Sequence, residues 1–397
     1  MSQSWQCTTL ARMTTPHTIA VLGLGHMGNA IATRLAAQGW NVVGWTRSGR
    51  TSCAVETTGD PNDAVAKADL VLLALFDGPA CQQVLDDARD SLRTDTIVLN
   101  TSTIAPAEAS KLARQLGQSY IHAPVLGSVP AAAAGALQIL AAADQDAFDR
   151  ARPVLQTLGT VLRVDDASTA AALKLIANNS LAGAVLALRD SLRQADALGL
   201  PRAQVLDVLE LGQLGGLVAR KRTFLTNQSA SGTAEFTIGA LTKDMALLAA
   251  ASNTPLRSAA NLADTPADPE ADIAAAATVP AVEDAVFEPL RAYIRGHATG
   301  DPTHFRDAFL PTAHIEGTRD GAFVSWRLDD YCALFHGQPA PDEPTRSRRI
   351  DAIDVHGTVA TATMTLLHGP DTFTDIFLLV RADDSWRIAN KAYHRHS

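Results

Sequence analysis

Cysteine is scarce: Cys7, Cys53, Cys81 and Cys332 stand in 397 residues, and no two share a C-x-x-C spacing. That excludes a disulfide framework and a cysteine zinc site. Basic residues are outnumbered, with 33 Lys and Arg against 42 Asp and Glu, a net charge of −9. A chain without a basic footprint is not expected to bind nucleic acid. No apolar run approaches the roughly 20 residues that span a bilayer, so no membrane partner is expected. Residues 1–17 lack a basic start followed by an apolar core, so they are not a secretory signal. They read as a disordered leader, with Met13 an alternative start, and the expected compartment is the cytoplasm. Eleven histidines are present, but none forms an H-x-x-x-H pair, and no metal is predicted.

What is there begins at Thr18. The run Ile19–Leu22 is apolar and rich in β-branched residues, and Gly23-Leu24-Gly25-His26-Met27-Gly28 follows at once. Asn29 to Gly39 reads as a helix closed by glycine, and Val42–Trp45 as a second strand. Strand, G-x-G-x-x-G turn, helix and strand form the dinucleotide-binding fingerprint. Gly23 serves the tight turn, Gly25 the close approach of a pyrophosphate, and Gly28 the packing of helix on strand. The pyrophosphate is expected on the helix N-terminus, against Leu24, His26 and Met27, where N–H groups and the dipole favour an anion.

An NAD enzyme commonly carries Asp or Glu about 20 residues past the glycines, for the ribose 2′-hydroxyl. Thr46-Arg47-Ser48 stands there instead. A guanidinium pairs with a 2′-phosphate, and the flanking hydroxyls donate to it. The expected cofactor is therefore NADPH in preference to NADH, although a solvated arginine at a strand end looks the same in sequence.

Strands and helices go on alternating. Asp69–Leu75, Asp95–Asn100 and Tyr120–Val125 read as strands, and Pro79–Leu92 and a segment ending near Leu116 as helices, which predicts a parallel, doubly wound sheet. Ligands sit beyond the carboxyl ends of such strands, where Thr101, Ser102 and Gly127-Ser128 lie. From Ser168 to Leu200 one long helix is apolar around most of its circumference, and so must be buried on several sides. Lys174 and Asn178 interrupt it one turn apart, on one face. A desolvated lysine suits acid–base work; a lysine snorkelling from a helix edge is the plain alternative. Further helices are expected at Ala203–Leu211, Leu214–Phe224, Ile238–Ser252 and Ile273–Thr278, with a linker near 279–280. The domains read as 1–17 leader, 18–165 nucleotide-binding, 166–279 helical and 280–397 α+β.

The first 280 residues resemble the β-hydroxyacid dehydrogenase family, which includes 3-hydroxyisobutyrate dehydrogenase and the glyoxylate and succinic semialdehyde reductases. The glycine segment is similar to its opening motif and Thr101-Ser102-Thr103 to its S-T segment. Residues 123–137 are similar to its substrate loop, Lys174-Leu-Ile-Ala-Asn-Asn to its catalytic segment, and Leu241-Thr-Lys243-Asp-Met to its last motif. The resemblance implies a Rossmann domain followed by an all-α domain that serves substrate binding and dimerisation. It makes Lys174 and Asn178 catalytic, Ser102, Gly127 and Ser128 substrate-binding, and Lys243 a contact of both substrate and cofactor. Gly23 to Gly28, Thr46, Arg47, Ser48 and Thr101 would hold the cofactor. His122 and Leu126 depart from the family's substrate loop. Imine reductases share the fold but usually lack the lysine.

Residues 281–397 resemble the nuclear-transport-factor-2-like superfamily, in its lumazine-binding-like and polyketide-cyclase-like branch. The resemblance implies a cone with a pocket, for which His314, Asp330, Tyr331 and Asp375 are candidates, though turn, cap and sheet-surface roles suit them as well. The whole reads as an NADPH-dependent oxidoreductase reducing a small carbonyl acid and assembling as a dimer or tetramer. An isomerase or dehydratase in the cone, or a non-catalytic nucleotide sensor, are the alternatives.

Overall fold

A computed structural model describes residues 18–49, 54–227, 234–263, 265, 267–278, 284–319, 321–383 and 385–396. The leader, with Met13 and Cys7, and also Cys53, lies outside the described residues. The chain forms two compact units, Met1–Val279 and Pro280–Ser397.

In the first unit, six strands form one parallel sheet: β1 (Thr18–Leu22), β2 (Asn41–Trp45), β3 (Glu56–Thr58), β4 (Leu70–Leu73), β5 (Ile97–Asn100) and β6 (Tyr120–His122). Their order is β3-β2-β1-β4-β5-β6, the doubly wound arrangement whose direction reverses between β1 and β4. Ile19, Val21, Leu70, Leu72, Ile97 and Leu99 pack on one side of the sheet, and Ala20, Leu22, Val71, Leu73 and Val98 on the other. Burial on both faces is why these strands read as unbroken apolar runs.

The stretch Tyr120–Val125, expected as one strand, is two. β6 ends at His122, and after Pro124 the chain enters a second sheet as β7 (Val125–Leu126), joined by β8 (Leu137–Ala141) and β9 (Gly159–Arg163). Proline has no N–H to give a ladder, so it marks the place where the chain changes sheets.

The helix Ala167–Ala197 packs against the helices Pro106–Leu116 and Ile238–Ser252. By length and composition alone this helix could cross a membrane, although the sequence showed no uninterrupted apolar run of that length. Its buried Lys174 and Asn178, and its packing within the unit, make it the central helix of this body.

In the second unit, a turn at Asp284–Phe287 and the helices Glu288–Thr299 and Thr303–Ala308 precede a six-stranded sheet. Its strands are β10 (His314–Arg319), β11 (Ala322–Arg327), β12 (Ser347–His356), β13 (Val359–His368), β14 (Asp371–Ala382) and β15 (Ser385–His396), in the order β11-β10-β15-β14-β13-β12. The short helix Leu328–Cys332 follows β11. Tyr293, Phe305, Phe309 and Phe377 fill the core. Of the four pocket candidates, Asp330 is exposed and does not face the interior. His314 is half-buried at the start of β10. Tyr331 and Asp375 are buried, and Asp375 accepts from Lys391 Nζ at 2.7 Å and Tyr293 Oη at 2.6 Å.

Candidate active site

The three motif glycines do different work. Gly23 has φ +103°, and a Cβ there would come within 2.4 Å of the Ala74 carbonyl oxygen. A Cβ on Gly28 would meet the Gly23 carbonyl oxygen at 1.8 Å. Nothing lies within 4 Å of the corresponding point on Gly25. Two glycines are thus demanded by the packing of the turn and helix, while the third keeps space open. Gly25 is the N-cap of the helix His26–Ala37, whose first N–H groups have no acceptor within the helix. The space in front of Gly25, which a side chain would fill, fits the close approach of a dinucleotide pyrophosphate.

Leu24 is buried and packs over Gly44 of β2. The Gly23 N–H donates to the Trp45 carbonyl oxygen at 2.8 Å, which ties the end of β2 to the turn. Arg47 follows on the surface, exposed, with Thr46 and Ser48 on either side.

Ser102 lies just past the carboxyl end of β5. Its Oγ accepts the Leu75 N–H at 2.9 Å, and its own N–H donates to Asn100 Oδ1 at 2.9 Å. Asn100 in turn donates to the Tyr120 hydroxyl at 3.1 Å, which is 3.1 Å from His122 Nδ1. Burial holds the His122 pKa down at about 3, so the ring is neutral. His122, one departure from the family's loop, therefore belongs to the support behind Ser102. Gly127 has φ +129°, a backbone that favours glycine, and Ser128 stands at the N-cap position of the short helix Val129–Ala134 without a capping bond from its side chain.

Lys174 is 9% exposed. Its Nζ donates to Asn178 Oδ1 at 3.0 Å, and Asn178 Nδ2 donates to Asp244 Oδ2 at 2.5 Å. Burial lowers the Lys174 pKa to about 8; Asp244 pulls it up and Lys243 pushes it down. Lys243 Nζ donates to the Thr103 carbonyl oxygen at 2.8 Å and sits 2.8 Å from Asp244 Oδ1. One buried carboxylate thus serves two lysines, which leaves a local excess of one positive charge.

A cavity of about 1030 Å³ joins these pieces. From the sequence-predicted cofactor set it is lined by Gly25, His26, Met27, Gly28, Thr101 and Lys243. From the predicted substrate and catalytic set, Ser102, Gly127, Ser128, Lys174 and Asn178 line it too. Gly23 and Leu24 lie beneath the turn and outside the lining, and Thr46, Arg47 and Ser48 stand apart from it at the end of β2. Sequence reasoning missed Asp244, although Leu241-Thr-Lys243-Asp244 carried it in plain view.

Residues 18–169 match the family model described as the NAD binding domain of 6-phosphogluconate dehydrogenase. A protein of Mycobacterium tuberculosis named "Probable 3-hydroxyisobutyrate dehydrogenase" is 32% identical over 201 residues, 48% of this chain and 68% of that protein. The chain belongs to the β-hydroxyacid dehydrogenase family. It is an NAD(P)-dependent oxidoreductase acting on CH–OH groups, with a nicotinamide cofactor. The NAD-dependent L-serine dehydrogenase of Pseudomonas aeruginosa is also 32% identical, over 210 residues, 49% of this chain and 68% of that protein. Among solved structures, Mycobacterium tuberculosis 3-hydroxyisobutyrate dehydrogenase with L-serine superposes with a TM-score of 0.57 at 26% identity, covering 66% of this chain and 98% of that one. Residues 281–394 match a different model, described as "Putative lumazine-binding", in keeping with the resemblance drawn for the second unit.

Proposed function

We propose that the first unit is an NADPH-dependent reductase of a small carbonyl acid, a semialdehyde or 2-oxo acid, with Lys174 as general acid. The observation that carries this reading is the buried Lys174–Asn178–Asp244 chain on the wall of the cavity that also opens on Gly25. Reduced nicotinamide, when bound, supplies the hydride.

The rest belongs to the chain's own residues. Asn178 donates to Asp244 through its amide nitrogen, so its oxygen is left to face Lys174 and to hold the ammonium in one direction. Lys174 is ionised at neutral pH with a pKa of about 8. That is low enough for it to give a proton to the carbonyl oxygen and to take one back in the reverse direction. Lys243 adds positive potential where negative charge grows on that oxygen. The Ser102 hydroxyl, which already accepts from Leu75, keeps its proton for a substrate carboxylate, and the N–H groups at Gly127 and Ser128 complete that anchor.

Arg47, in the place of the carboxylate of NAD enzymes, supports the preference for NADPH. The compartment is proposed to be cytoplasmic and the assembly a homo-oligomer, with neither nucleic acid nor membrane as a partner. The test is NADPH oxidation with glyoxylate, succinic semialdehyde and methylmalonate semialdehyde. Turnover by the wild-type protein and none by Lys174→Ala supports the reading. Equal turnover by both removes Lys174 from the chemistry.

A further inference from the structure

The carboxylate anchor has two halves that belong to different sheets. Ser102 stands past the end of β5, and Gly127 and Ser128 stand past the end of β7. Their separation decides how an acid is seated before Lys174. A chain of buried, uncharged groups runs between them. Asn100 and His122 are register neighbours on the parallel strands β5 and β6. Tyr120 precedes His122 by two residues, so both side chains lie on one face of the sheet. The Asn100 amide has its two ends assigned by what they meet. Oδ1 accepts the Ser102 N–H at 2.9 Å, so Nδ2 is the end that donates to the Tyr120 hydroxyl, at 3.1 Å. Tyr120 Oη accepts there and keeps its own proton for His122 Nδ1, 3.1 Å away. The neutral His122 ring accepts at Nδ1 and carries its proton on Nε2.

The other end of the chain is pinned by backbone. The His122 N–H donates to the Ala142 carbonyl oxygen at 3.1 Å, and the His122 carbonyl oxygen accepts the Ala142 N–H at 2.9 Å. Three residues on, Val125 and Leu126 pair with Ile139 and Gln138 of β8, and Gly127 follows. One ladder-held segment thus carries the His122 ring at one end and the loop half of the anchor at the other. His122 Nε2 is buried and has no partner among the described residues. An unpartnered buried N–H costs stability, and an apolar side chain of similar size would avoid that cost. The one polar atom of the ring that is paired is the one that meets Tyr120. The link toward Ser102 is therefore what a histidine at this position supplies.

We propose that His122, Tyr120 and Asn100 are positioning residues, which hold Ser102 at a fixed distance and orientation from Gly127 and Ser128 and so set the fit of a substrate carboxylate. The proposal rests on the reading of Ser102 as an anchor of the carbonyl acid.

The experiment uses the full chain with NADPH bound. The probes are glycolate and 4-hydroxybutyrate, the alcohols of glyoxylate and succinic semialdehyde, which cannot accept hydride. Calorimetric titration into the wild-type complex gives the reference Kd. Ser102→Ala should raise it about tenfold, as loss of one hydrogen bond to a charged group does. Tyr120→Phe and His122→Leu each break one link and should raise it about fivefold. His122→Asn keeps an amide near the place of Nδ1 and should return to within about twofold of the wild type. The Kd of NADPH should stay the same throughout, with thermal transitions recorded for every variant. In the Ser102→Ala background, either breaking variant should add nothing, because the chain acts through that hydroxyl; a merely structural role gives an additive loss. Steady-state reduction of the two aldehyde acids should show the loss in KM rather than in kcat. Unchanged Kd in the breaking variants, or full additivity with Ser102→Ala, overturns the proposal and leaves the reductase reading standing. A wild-type complex that binds neither acid, or a Ser102→Ala complex that binds them equally well, overturns the anchor and the proposal together.

Discussion

Lys174 donates to Asn178 one helical turn away, at 3.0 Å, and that single contact fixes the direction of a buried ammonium. It exists because Asn178 is itself held from behind by Asp244. The consequences divide between catalysis and stability.

Replacing Lys174 with Met should lower kcat/KM by about 10²–10⁴, the usual worth of general acid–base catalysis, and spare NADPH affinity. Fluorescence titration with NADPH beside steady-state rates checks this. Loss of both would mark the lysine as structural.

The same change should make the protein more stable at pH 7. Lys174 has its folded pKa depressed to about 8 from 10.5. The unfolded state thus binds the extra proton between those values, and stability rises with pH across that window. Below about pH 8 the burial penalty is present in full, about 3 kcal/mol by linkage. Denaturant unfolding at pH 7 should show Lys174→Met stabilised by about 1–3 kcal/mol, because it also gives up the hydrogen bond to Asn178.

Catalysis should follow the same titration. Carbonyl reduction needs the ammonium, so its kcat/KM should fall as pH rises through about 8, whereas alcohol oxidation should rise. Asp244 raises the lysine pKa, so Asp244→Asn should move both limbs to lower pH. A pH profile of the two directions, wild type against variant, measures this.

At the cofactor turn, two substitutions should separate. Gly28→Ala places its Cβ against the Gly23 carbonyl oxygen and should destabilise the fold by several kcal/mol, about what strained backbone and overpacking cost. Gly25→Ala has open space and should leave stability within about 1 kcal/mol, while NADPH affinity falls sharply. Thermal unfolding and NADPH titration report the two effects independently.

In the second unit, Asp375→Asn leaves the buried Lys391 ammonium without its carboxylate partner and should cost about 3–5 kcal/mol, read in the unfolding transition of that unit.

Much of this was legible in the sequence, for reasons that can be named. The strands of the parallel sheet are buried on both faces and read as apolar runs, and the glycine turn has few other uses. The helix Ile238–Ser252 has the predicted ends, with Thr237 capping it through the Ala240 N–H. What escaped was non-local. β8 and β9 are five residues each and pair in a small second sheet, apart from the parallel sheet that organises the alternation of strands and helices. Asp244 follows a lysine, and such pairs commonly read as a solvated face; only the packing of two helices shows it buried. Lys391 was hidden by a register shift between β14 and β15, where Leu378 pairs with Asn390 but Leu379 with Ile388. The extra residue turns the alternation over, so that Trp386 and Ile388 are followed inward by Lys391 rather than Asn390.

The most direct test follows NADPH oxidation by the wild-type protein and Lys174→Ala, side by side, on glyoxylate, succinic semialdehyde, methylmalonate semialdehyde and bulkier ketones. The account predicts turnover of at least one carbonyl acid by the wild type, and its loss in a variant that still binds NADPH. Turnover that persists in Lys174→Ala, or wild-type protein that binds NADPH and reduces none of these compounds, would contradict it.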